Sequence, residues 1–310
     1  MSSRADIYET AVIGGGMAGL AAAIYSLRYR LRTVLFAREP GGIITESALV
    51  ENWPGETGIS GIELMEKVRG HAASLGAEFV NGQVESVSGG AGAFVVKTSD
   101  GKERSAFAVV LALGSDRRKL GVPGEKEFAG RGVSYCATCD GFFFRGKTVA
   151  VVGGSDSAAA SAELLANMAE KVYVLYRRDE LRAEPIRVER LKAAPNVEII
   201  TNTVVEEISG DETVTAVSLN GARTLALDGV FVEIGFDPST KLAAPLGLQL
   251  DEAGFIVVDE ACRTNVPGVY AAGDVTTGTN RMRQLVTAAA EGAIAAESCF
   301  EDLKKLPIMH

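Results

Sequence analysis

The chain has 310 residues, of which 47% are hydrophobic, and its mean hydropathy is +0.15. This length and composition exclude a disordered polymer and suffice for two domains, each with its own core. The 40 acidic side chains outnumber the 31 basic ones and give a net charge of -9. Such a balance argues against a general affinity for nucleic acid or for an anionic membrane surface.

The first ten residues, MSSRADIYET, are polar and charged and lead directly into an apolar segment. They lack the layout of a secretory signal, in which a basic segment precedes an apolar one. The longest apolar stretch, residues 11–27, is interrupted by glycines and is shorter than the roughly 20 residues that a comfortable membrane span needs. We therefore expect a cytoplasmic protein without a membrane partner.

A glycine-rich turn follows the first apolar segment. Gly14, Gly16 and Gly19 fit the pattern G-x-G-x-x-G. In a dinucleotide-binding turn the first glycine makes the tight bend, the second lets backbone N–H groups approach a pyrophosphate, and the third permits close helix packing. The spacing predicts a dinucleotide site at the start of the chain.

The segments around this turn are of the kind that the pattern requires. The hydrophobic periodicity predicts a strand over residues 7–13, a helix over 21–29 and a second strand over 33–37. Glu39 ends this unit at about the distance where such folds place an acidic group on a ribose. The turn therefore has its strand and helix context, which a chance glycine cluster would lack.

Two of the four cysteines, Cys136 and Cys139, lie two residues apart in the segment VSYCATCDGFFF. In a reducing compartment such a pair is more often catalytic or metal-binding than a structural disulfide. The chain has only two histidines, His71 and His310, so a four-ligand zinc site would need scattered partners. The pattern favours a redox pair. The other cysteines stand in apolar surroundings and are expected to be buried: Cys262 and Cys299.

Thiol–disulfide exchange needs a group that trades protons with the sulfurs. The sequence places no histidine near the cysteine pair, and Asp140 directly follows Cys139. Asp140 is therefore the candidate general acid and base. Its alternative role is that of a turn residue before Gly141, since Asp-Gly is a common turn signal.

A second strand–turn–helix unit follows the cysteine pair. Residues 148–152 predict a strand that leads into Gly153, but Ser155 stands where the second glycine of the motif belongs. A side chain there is expected to crowd an approaching pyrophosphate. Asp156 and Ser157 then begin an alanine-rich helix.

The strand predicted over residues 171–176 ends in two arginines, Arg177 and Arg178, and Arg182 follows. In a fold of this kind, arginines at that strand end meet the 2′-phosphate of NADP. The alternative interpretation is a solvated basic strand end, because arginines commonly lie on protein surfaces.

The C-terminal part returns to the first fold. Residues 268–275 predict a buried strand that ends in Gly273 and Asp274, and a long helix begins near Gln284. Asp274 could hydrogen-bond a sugar hydroxyl, and the helix N-terminus could stabilise negative charge on a bound ring.

The second fold therefore interrupts the first. The predicted class is α/β, with two Rossmann-like dinucleotide-binding domains of which the second is inserted into the first. The predicted boundaries give a first domain formed by residues 1–117 and 244–310, and an inserted domain, residues 118–243, that carries the cysteine pair. Candidate hinges, rich in glycine, proline and charged residues, lie at 114–120 and 235–240.

These motifs, in this order, resemble the low-molecular-weight, FAD-dependent thioredoxin reductases of bacteria and archaea. The similarity covers essentially the whole chain and rests on GGGMAGLAAAIY, ENWPG, GVSYCATCDG, VAVVGG, RRDELRA, GVYAAGDV and RQLVTAAAEG. It implies a pyridine nucleotide-disulfide oxidoreductase of class II. Such an enzyme is a homodimer in which FAD passes electrons to the Cys136–Cys139 pair, and the pair reduces a thioredoxin-like partner.

The resemblance also implies site residues. We expect Cys139 to lie beside the flavin. The positions expected to contact FAD are Gly14, Gly16, Met17, Ala18, Gly19, Glu39, Gly42, Asn52, Gly114, Gly273, Asp274, Arg283, Gln284 and Leu285. Those expected to contact NADPH are Gly153, Ser155, Asp156, Ser157, Arg177, Arg178 and Arg182. No metal ligand is expected.

The chain departs from the family pattern on the side of the electron donor. The family usually carries a pair of glutamates in the helix after the second turn, where this chain has Ala160 and Ser161, so an acidic group near the nicotinamide is expected to be missing. NADPH is the donor that the arginines favour. NADH, reduced ferredoxin or another flavin are the alternatives that Ser155 leaves open, and a small-molecule dithiol oxidase that uses oxygen is a further one.

Overall fold

The structure, a computed structural model, describes residues 7–38, 40–47, 49–221, 223–279 and 282–305. Within it the chain divides into two units, one formed by Met1–Asp116 together with Pro238–His310 and the other by Arg117–Asp237. The second unit is inserted into the first. The predicted α/β class with one dinucleotide fold inserted into another is confirmed.

Strands and helices alternate through much of both units. The strands are β1 (Ile7–Ile13), β2 (Thr33–Ala37), β3 (Glu78–Asn81), β4 (Val84–Gly90), β5 (Ala93–Thr98), β6 (Glu103–Leu111), β7 (Ser115–Arg117), β8 (Val133–Ser134), β9 (Thr148–Val152), β10 (Lys171–Leu175), β11 (Val197–Ile200), β12 (Val205–Gly210), β13 (Val214–Leu219), β14 (Arg223–Ala226), β15 (Gly229–Val232), β16 (Phe236–Pro238) and β17 (Val269–Ala271). The helices are α1 (Met17–Arg28), α2 (Gly61–Ser74), α3 (Ala137–Asp140), α4 (Asp156–Ala166), α5 (Pro185–Ala193) and α6 (Leu285–Leu303).

Among the described residues of the first unit, seven strands form one sheet. Its order is β3-β2-β1-β6-β5-β4, and β17 pairs with the second half of β6 while β5 pairs with the first half. Strands β3, β2, β1, β6 and β17 run parallel to one another, whereas β5 pairs antiparallel with β6 and with β4. The carboxyl ends of the parallel strands therefore meet at one edge of the sheet, which is where ligands bind in folds of this kind.

The central strands of this sheet are buried on both faces, as continuous apolar runs predict. Val12 and Val110 are level in β1 and β6 and fully buried on the face covered by α1 and α6. Ala11 and Val109 face the opposite cluster, which includes Ile256 from the C-terminal segment. Each fully buried Val side chain contributes about 1.5–3 kcal/mol relative to an exposed one.

The second unit has a five-stranded parallel sheet of order β11-β10-β9-β15-β8 in its described part. Helices α4 and α5 cover one face, where Phe231 of β15 packs with Ala158, Ala162 and Leu165 of α4. The antiparallel strands β12, β13 and β14 cover the other face. The strand order reverses between β9 and β15. Strands β10 and β11 lie on one side of β9, whereas β15 and β8 lie on its other side.

Strands β7 and β16 pair with each other as a two-stranded ribbon at the two crossings between the units. The predicted boundaries, 117/118 and 243/244, compare with 116/117 and 237/238 in the structure. The second one falls earlier because Leu242 and Ala243 pack in the core of the first unit, beside Ile256. The observed boundary lies within the candidate hinge predicted at residues 235–240.

The strands predicted over 7–13, 33–37 and 148–152 are confirmed at the same bounds. The strand predicted over 171–176 ends one residue early. Helix α1 begins at Met17, four residues before the predicted start, because the last motif glycine lies within its first turn. The strand predicted over 268–275 is regular only over Val269–Ala271, because the chain turns at Gly273, whose φ is +81°.

Candidate functional site

The first glycine turn lies at the carboxyl end of β1. Gly14 has φ +129°, and a Cβ there would lie 1.9 Å from the carbonyl oxygen of Ala112. A Cβ at Gly19 would lie 1.9 Å from the carbonyl oxygen of Gly14. The fold itself therefore requires glycine at these two positions.

Gly16 differs from its two neighbours in the motif. Its φ and ψ of -79° and -173° suit any residue, and no described atom lies within 4 Å of the place that a Cβ would occupy. Packing within the described chain therefore gives no reason for glycine here. A group that approaches the backbone from outside gives one, and a pyrophosphate is such a group.

Helix α1 presents its N-terminus at this turn. Within the described part of the chain no side chain caps its first N–H groups. Uncapped N–H groups and the positive end of the helix dipole bind phosphate oxygens. Met17 and Ala18 form the first turn of α1 and are buried. A Cβ at Gly42 would lie 3.2 Å from the Cα of Gly16, so Gly42 borders the same opening.

Other predicted FAD residues follow the carboxyl ends of the neighbouring strands. Gly114 comes shortly after β6, and Gly273 and Asp274 follow β17. Burial raises the pKa of the Asp274 carboxyl, the Arg283 guanidinium opposes this shift, and the Glu291 carboxylate adds to it.

The start of α6 brings further predicted residues together. Asn52 donates a hydrogen bond from Nδ2 to Oε1 of Gln284 at 3.0 Å, although 232 residues separate them. Gln284 is the N-cap of α6, and Leu285 begins the helix. The Arg283 guanidinium lies 4.1 Å from the centre of the Phe255 ring. Glu39, the predicted ribose contact, lies outside the described residues.

Glu291 of α6 is a residue that the sequence interpretation missed. Its carboxylate is 3% exposed and accepts hydrogen bonds from the backbone N–H of Gly273 at 2.7 Å and from the Thr276 hydroxyl at 2.9 Å. These hydrogen bonds connect α6 to the loop that contains Gly273, Asp274 and Thr276. The only signal in the sequence was an acidic residue within the apolar first half of α6, because its hydrogen-bond partners lie on another segment of the chain.

An FAD molecule fits these residues, because the opening at Gly16, the uncapped α1 and the Asp274 loop lie along one edge of the sheet. When bound, FAD supplies a relay that accepts and returns two electrons. The assignment of individual contacts to FAD stays a prediction.

The second glycine turn repeats the first with one change. Gly153 at the end of β9 has φ +151°, and a Cβ there would lie 2.1 Å from the carbonyl oxygen of Glu233. Ser155 is the N-cap of α4 with φ -96° and ψ -179°, close to the angles of Gly16. The serine therefore fits the backbone without strain, and its side chain occupies the position where Gly16 leaves space. Asp156 and Ser157 begin α4, and no described side chain caps the helix.

The arginine-bearing loop lies beside this turn. Arg177, Arg178 and Arg182 are exposed and follow the carboxyl end of β10. The backbone N–H of Arg182 donates to the carbonyl oxygen of Gly154 at 2.6 Å, and the N–H of Glu184 donates to the Asp156 carboxylate at 2.7 Å. These bonds hold the loop next to the start of α4. A nucleotide whose pyrophosphate lies at α4 therefore has three guanidinium groups near its adenosine end.

The carboxylate of Glu233 lies beside Ser161. The Ser161 hydroxyl donates to Oε1 of Glu233 at 2.9 Å, and Nη1 of Arg117 lies 3.4 Å from Oε2. Helix α4 carries no acidic residue at Ala160 or Ser161, but Glu233, which directly follows β15, places a carboxylate beside Ser161. The sequence interpretation missed Glu233.

The cysteine pair follows the carboxyl end of β8, the neighbour of β15. Cys136 and Cys139 form a disulfide, with their Cα atoms 5.3 Å apart. Cys136 is the N-cap of α3 and half-buried, and its Sγ accepts the backbone N–H of Cys139 at 3.1 Å. Cys139 is exposed. A sulfur that accepts an N–H bond is stabilised as a thiolate, which is the reactive form.

Asp140 lies at the end of α3 and is held by Ser134. The Ser134 hydroxyl donates to Oδ2 of Asp140 at 2.7 Å, and the hydroxyl oxygen of Ser134 accepts the backbone N–H of Cys136 at 3.0 Å. Ser134 therefore connects the carboxylate to the backbone of the redox pair. The sequence interpretation missed Ser134, because a serine two residues before a cysteine is not a distinctive signal.

Two exposed aromatic side chains adjoin this centre. Phe142 and Phe143 are 69% and 70% exposed, whereas Phe144 packs in the core against Phe231. Adjacent exposed phenylalanines are unusual on a protein surface and mark contact sites for partners.

The remaining cysteines are buried thiols in the first unit. Burial raises the pKa of Cys262 and of Cys299 to about 12 in each case. Neither is a ready nucleophile at neutral pH. The predicted structural role of both is confirmed by their burial.

The second unit thus carries, on one sheet edge, a dinucleotide turn, a basic loop and a disulfide beside a carboxylate, and the first unit carries another dinucleotide turn. These features define a disulfide oxidoreductase with two dinucleotide-binding folds. The model of the family described as pyridine nucleotide-disulphide oxidoreductase matches residues 8–292, and the chain belongs to that family.

Similar proteins are known by sequence and by structure. A thioredoxin reductase of Listeria innocua is 42% identical over 315 residues, which cover 98% of each chain. The solved thioredoxin reductase of Lactococcus lactis has a TM-score of 0.92 and 37% identity, covering 96% of this chain and 100% of its own. That of T. acidophilum also has a TM-score of 0.92, at 36% identity, covering 97% of this chain and 100% of its own.

Within the described ranges, no helix is both long and apolar enough to cross a membrane.

Proposed function

We propose that this oxidoreductase is a thioredoxin reductase that passes electrons from NADPH through FAD to the Cys136–Cys139 pair and then to a thioredoxin-like protein. The observation that carries the proposal is the disulfide at the N-terminus of α3, next to the Asp140 carboxylate and in the unit that holds the second dinucleotide turn. The names of the relatives support the same activity.

The exchange step balances without a further reactant. Two electrons and one proton, which together equal the hydride that NADPH carries, convert the Cys136–Cys139 bond into a thiolate and a thiol. The thiolate attacks one sulfur of the partner's disulfide, so a bond forms between the two proteins and the partner's own S–S bond breaks. The second cysteine then attacks this mixed disulfide, which restores the Cys136–Cys139 bond. Uptake of one proton releases the partner as a dithiol.

Asp140 is the group that we assign to the proton transfers. It receives the Ser134 hydrogen bond at 2.7 Å on one oxygen, which orients the carboxylate at the end of α3. Its position next to Cys139 in the chain allows it to take a proton from one sulfur and to return it to the leaving sulfur.

NADPH is the donor that the second unit supports best. The arginines at the end of β10 suit a 2′-phosphate, and α4 offers N–H groups that no described side chain caps. A ferredoxin donor is not supported by these relatives.

Phe142 and Phe143 support the assignment of a protein substrate. Their exposed rings follow Cys139 by three and four residues, so a partner that binds them would have its own disulfide near the cysteines. We also propose that the protein acts as a cytoplasmic homodimer, as the family resemblance implies. Sedimentation equilibrium would measure the mass, and a monomer at micromolar concentration would contradict the dimer.

Anaerobic stopped-flow spectroscopy tests the proposed function. The holoenzyme is mixed with NADPH or with NADH, and the flavin absorbance is followed. We expect fast bleaching by NADPH, slower bleaching by NADH, and subsequent reduction of thioredoxin.

Controls separate the steps of this reaction. Cys136→Ser and Cys139→Ser should retain flavin bleaching and lose thioredoxin reduction. Bleaching by dithionite but by neither nucleotide would contradict the assignment of the donor. Hydrogen peroxide formed from an added dithiol, without thioredoxin reduction, would instead indicate a dithiol oxidase.

A further inference from the structure

Glu233 is a buried carboxylate held by side chains from two other elements. It is 6% exposed at the end of β15. Ser161 of α4 donates to one carboxylate oxygen, and Arg117, 18% exposed in its side chain, pairs with the other. Burial raises the pKa of Glu233, and Arg117 and Ser161 oppose that shift. A buried carboxylate costs free energy, so its presence at this place calls for a reason.

The sheet order places Glu233 at the crevice where the strand order reverses. Its backbone N–H donates to the carbonyl oxygen of Val152 at 2.8 Å, so it lies level with Gly153 on the neighbouring strand end. Phe231, two residues earlier, packs against α4, and the alternation along β15 directs Glu233 to the same side. In open α/β sheets a dinucleotide lies across this crevice.

The position of the arginines sets the direction of the nucleotide. Arg177 and Arg178 follow β10, on one side of β9, and attract the phosphate of the adenosine half. The pyrophosphate belongs at Gly153 and the start of α4. The other half of the dinucleotide must then extend to the opposite side of β9, over the end of β15, where Glu233 lies.

The chemistry of this end of the nucleotide matches a carboxylate. The carboxamide of a nicotinamide ring carries an NH₂ group, which is a hydrogen-bond donor. Each oxygen of a carboxylate accepts about two hydrogen bonds, so Glu233 keeps acceptor capacity beyond its bonds to Ser161 and Arg117.

We infer that Glu233 accepts a hydrogen bond from the nicotinamide carboxamide of the bound nucleotide, with Ser161 and Arg117 as the residues that position its carboxylate. This inference rests on the proposed function, because it requires a pyridine nucleotide in the second unit. It assigns the nicotinamide end of the site to the residue that directly follows β15.

Calorimetric titration of the oxidised holoenzyme with three ligands tests the inference. NADP⁺ carries the carboxamide, its 3-acetylpyridine analogue replaces the NH₂ by a methyl group, and adenosine 2′,5′-bisphosphate lacks the nicotinamide half. We expect the wild type to bind NADP⁺ about tenfold more tightly than the analogue, the discrimination typical of a hydrogen bond to a charged acceptor.

Substitution should remove this discrimination. Glu233→Gln should weaken NADP⁺ binding by about five- to tenfold, leave the analogue nearly unchanged and leave the bisphosphate unchanged. Ser161→Ala should shift NADP⁺ binding in the same direction by a smaller factor. The matched control is Glu163→Gln, which alters a carboxylate of α4 that pairs with Arg187 of α5 at 2.6 Å. It should change none of the three affinities.

Several outcomes would overturn the inference. The inference fails if the wild type binds NADP⁺ and the analogue with equal affinity, whatever the variants show. It also fails if the Glu233→Gln variant binds NADP⁺ as tightly as the wild type does. Retained bisphosphate binding reports that the second unit of each variant is folded. If the wild type binds neither NADP⁺ nor the bisphosphate, the NADPH assignment itself fails, which distinguishes that result from a failure at Glu233 alone.

Discussion

At the scale of single residues, the two glycine turns show which positions the fold dictates and which a ligand dictates. Gly14 and Gly153 have φ of +129° and +151° with backbone atoms close by, so internal sterics require glycine. Gly16 and Ser155 have nearly the same extended backbone angles, so the backbone allows a side chain at both positions. Only a ligand that approaches from outside the chain gives a reason for glycine at such a position. The sequence could identify both kinds of position, because the motif spacing is local, but it could not separate them.

Ser155→Gly should increase the affinity for NADP⁺ by about tenfold, because it removes a side chain from the approach of the pyrophosphate. Calorimetric titration measures this change. The matched control is Gly16→Ser in the first turn, which should lower FAD retention after gel filtration. An unchanged or lower NADP⁺ affinity in Ser155→Gly would mean that the serine hydroxyl itself binds the phosphate.

Asp140→Asn should slow thiol–disulfide exchange with thioredoxin by about 10²-fold, because an amide cannot trade the proton. Ser134→Ala should slow it less, since it only frees the carboxylate from its 2.7 Å hydrogen bond. Single-turnover oxidation of the pre-reduced enzyme isolates this step. Flavin bleaching by NADPH is the control and should be unaffected; an unchanged exchange rate in Asp140→Asn would assign Asp140 a turn role only.

At the scale of elements, a cluster of charged and polar side chains around Asp302 stabilises the C-terminal end of α6. Asp302 accepts hydrogen bonds from Nε of Arg263 at 2.8 Å and from the Tyr270 hydroxyl at 3.0 Å. The Arg263 hydrogen bond is the largest cause that holds the pKa of Asp302 well below its usual range, and Lys305 and Tyr270 add to it. A carboxylate is unfavourable at a helix C-terminus unless cations compensate it.

Asp302→Asn should lower the free energy of unfolding by about 1 kcal/mol at pH 7, a value limited by solvent screening. Because folding lowers the pKa of Asp302, its contribution is fully present above the ordinary aspartate pKa near 4 and is lost progressively as the pH falls from there through the lower folded-state pKa, so it should be smaller at pH 3 than at pH 7. Urea unfolding at pH 7 and at pH 3 measures the difference from wild type.

Glu301→Gln is the control for this variant, since it breaks an exposed pair with Lys304 and should cost about 0.3 kcal/mol or less. A loss in Asp302→Asn that is equally large at pH 3 would show that the charge is not responsible.

At the scale of the whole molecule, each unit has its own sheet and its own apolar clusters. The first unit is built from two separate chain segments, and the inserted one is a single segment, Arg117–Asp237. A bound ligand should therefore stabilise only the unit that binds it. A ligand at 100 times its Kd stabilises the unit that binds it by about 2.7 kcal/mol.

Scanning calorimetry of the apoprotein should give two transitions, of which FAD raises one and NADP⁺ the other. The transition of the inserted unit can be identified from the isolated segment Arg117–Asp237. A single transition that both ligands raise would show that the two units unfold cooperatively.

The sequence by itself determined the features whose information is local. The glycine spacings, the Cys136–Cys139 pair and the arginines after β10 each lie within a few residues, so they predicted the fold class and most of the candidate site. Only the tertiary structure decided that Glu233 lies beside Ser161, 72 residues away, and that the inserted unit ends at Asp237. Such contacts depend on the order of strands in a sheet, which brings distant segments to one edge and which no local pattern encodes.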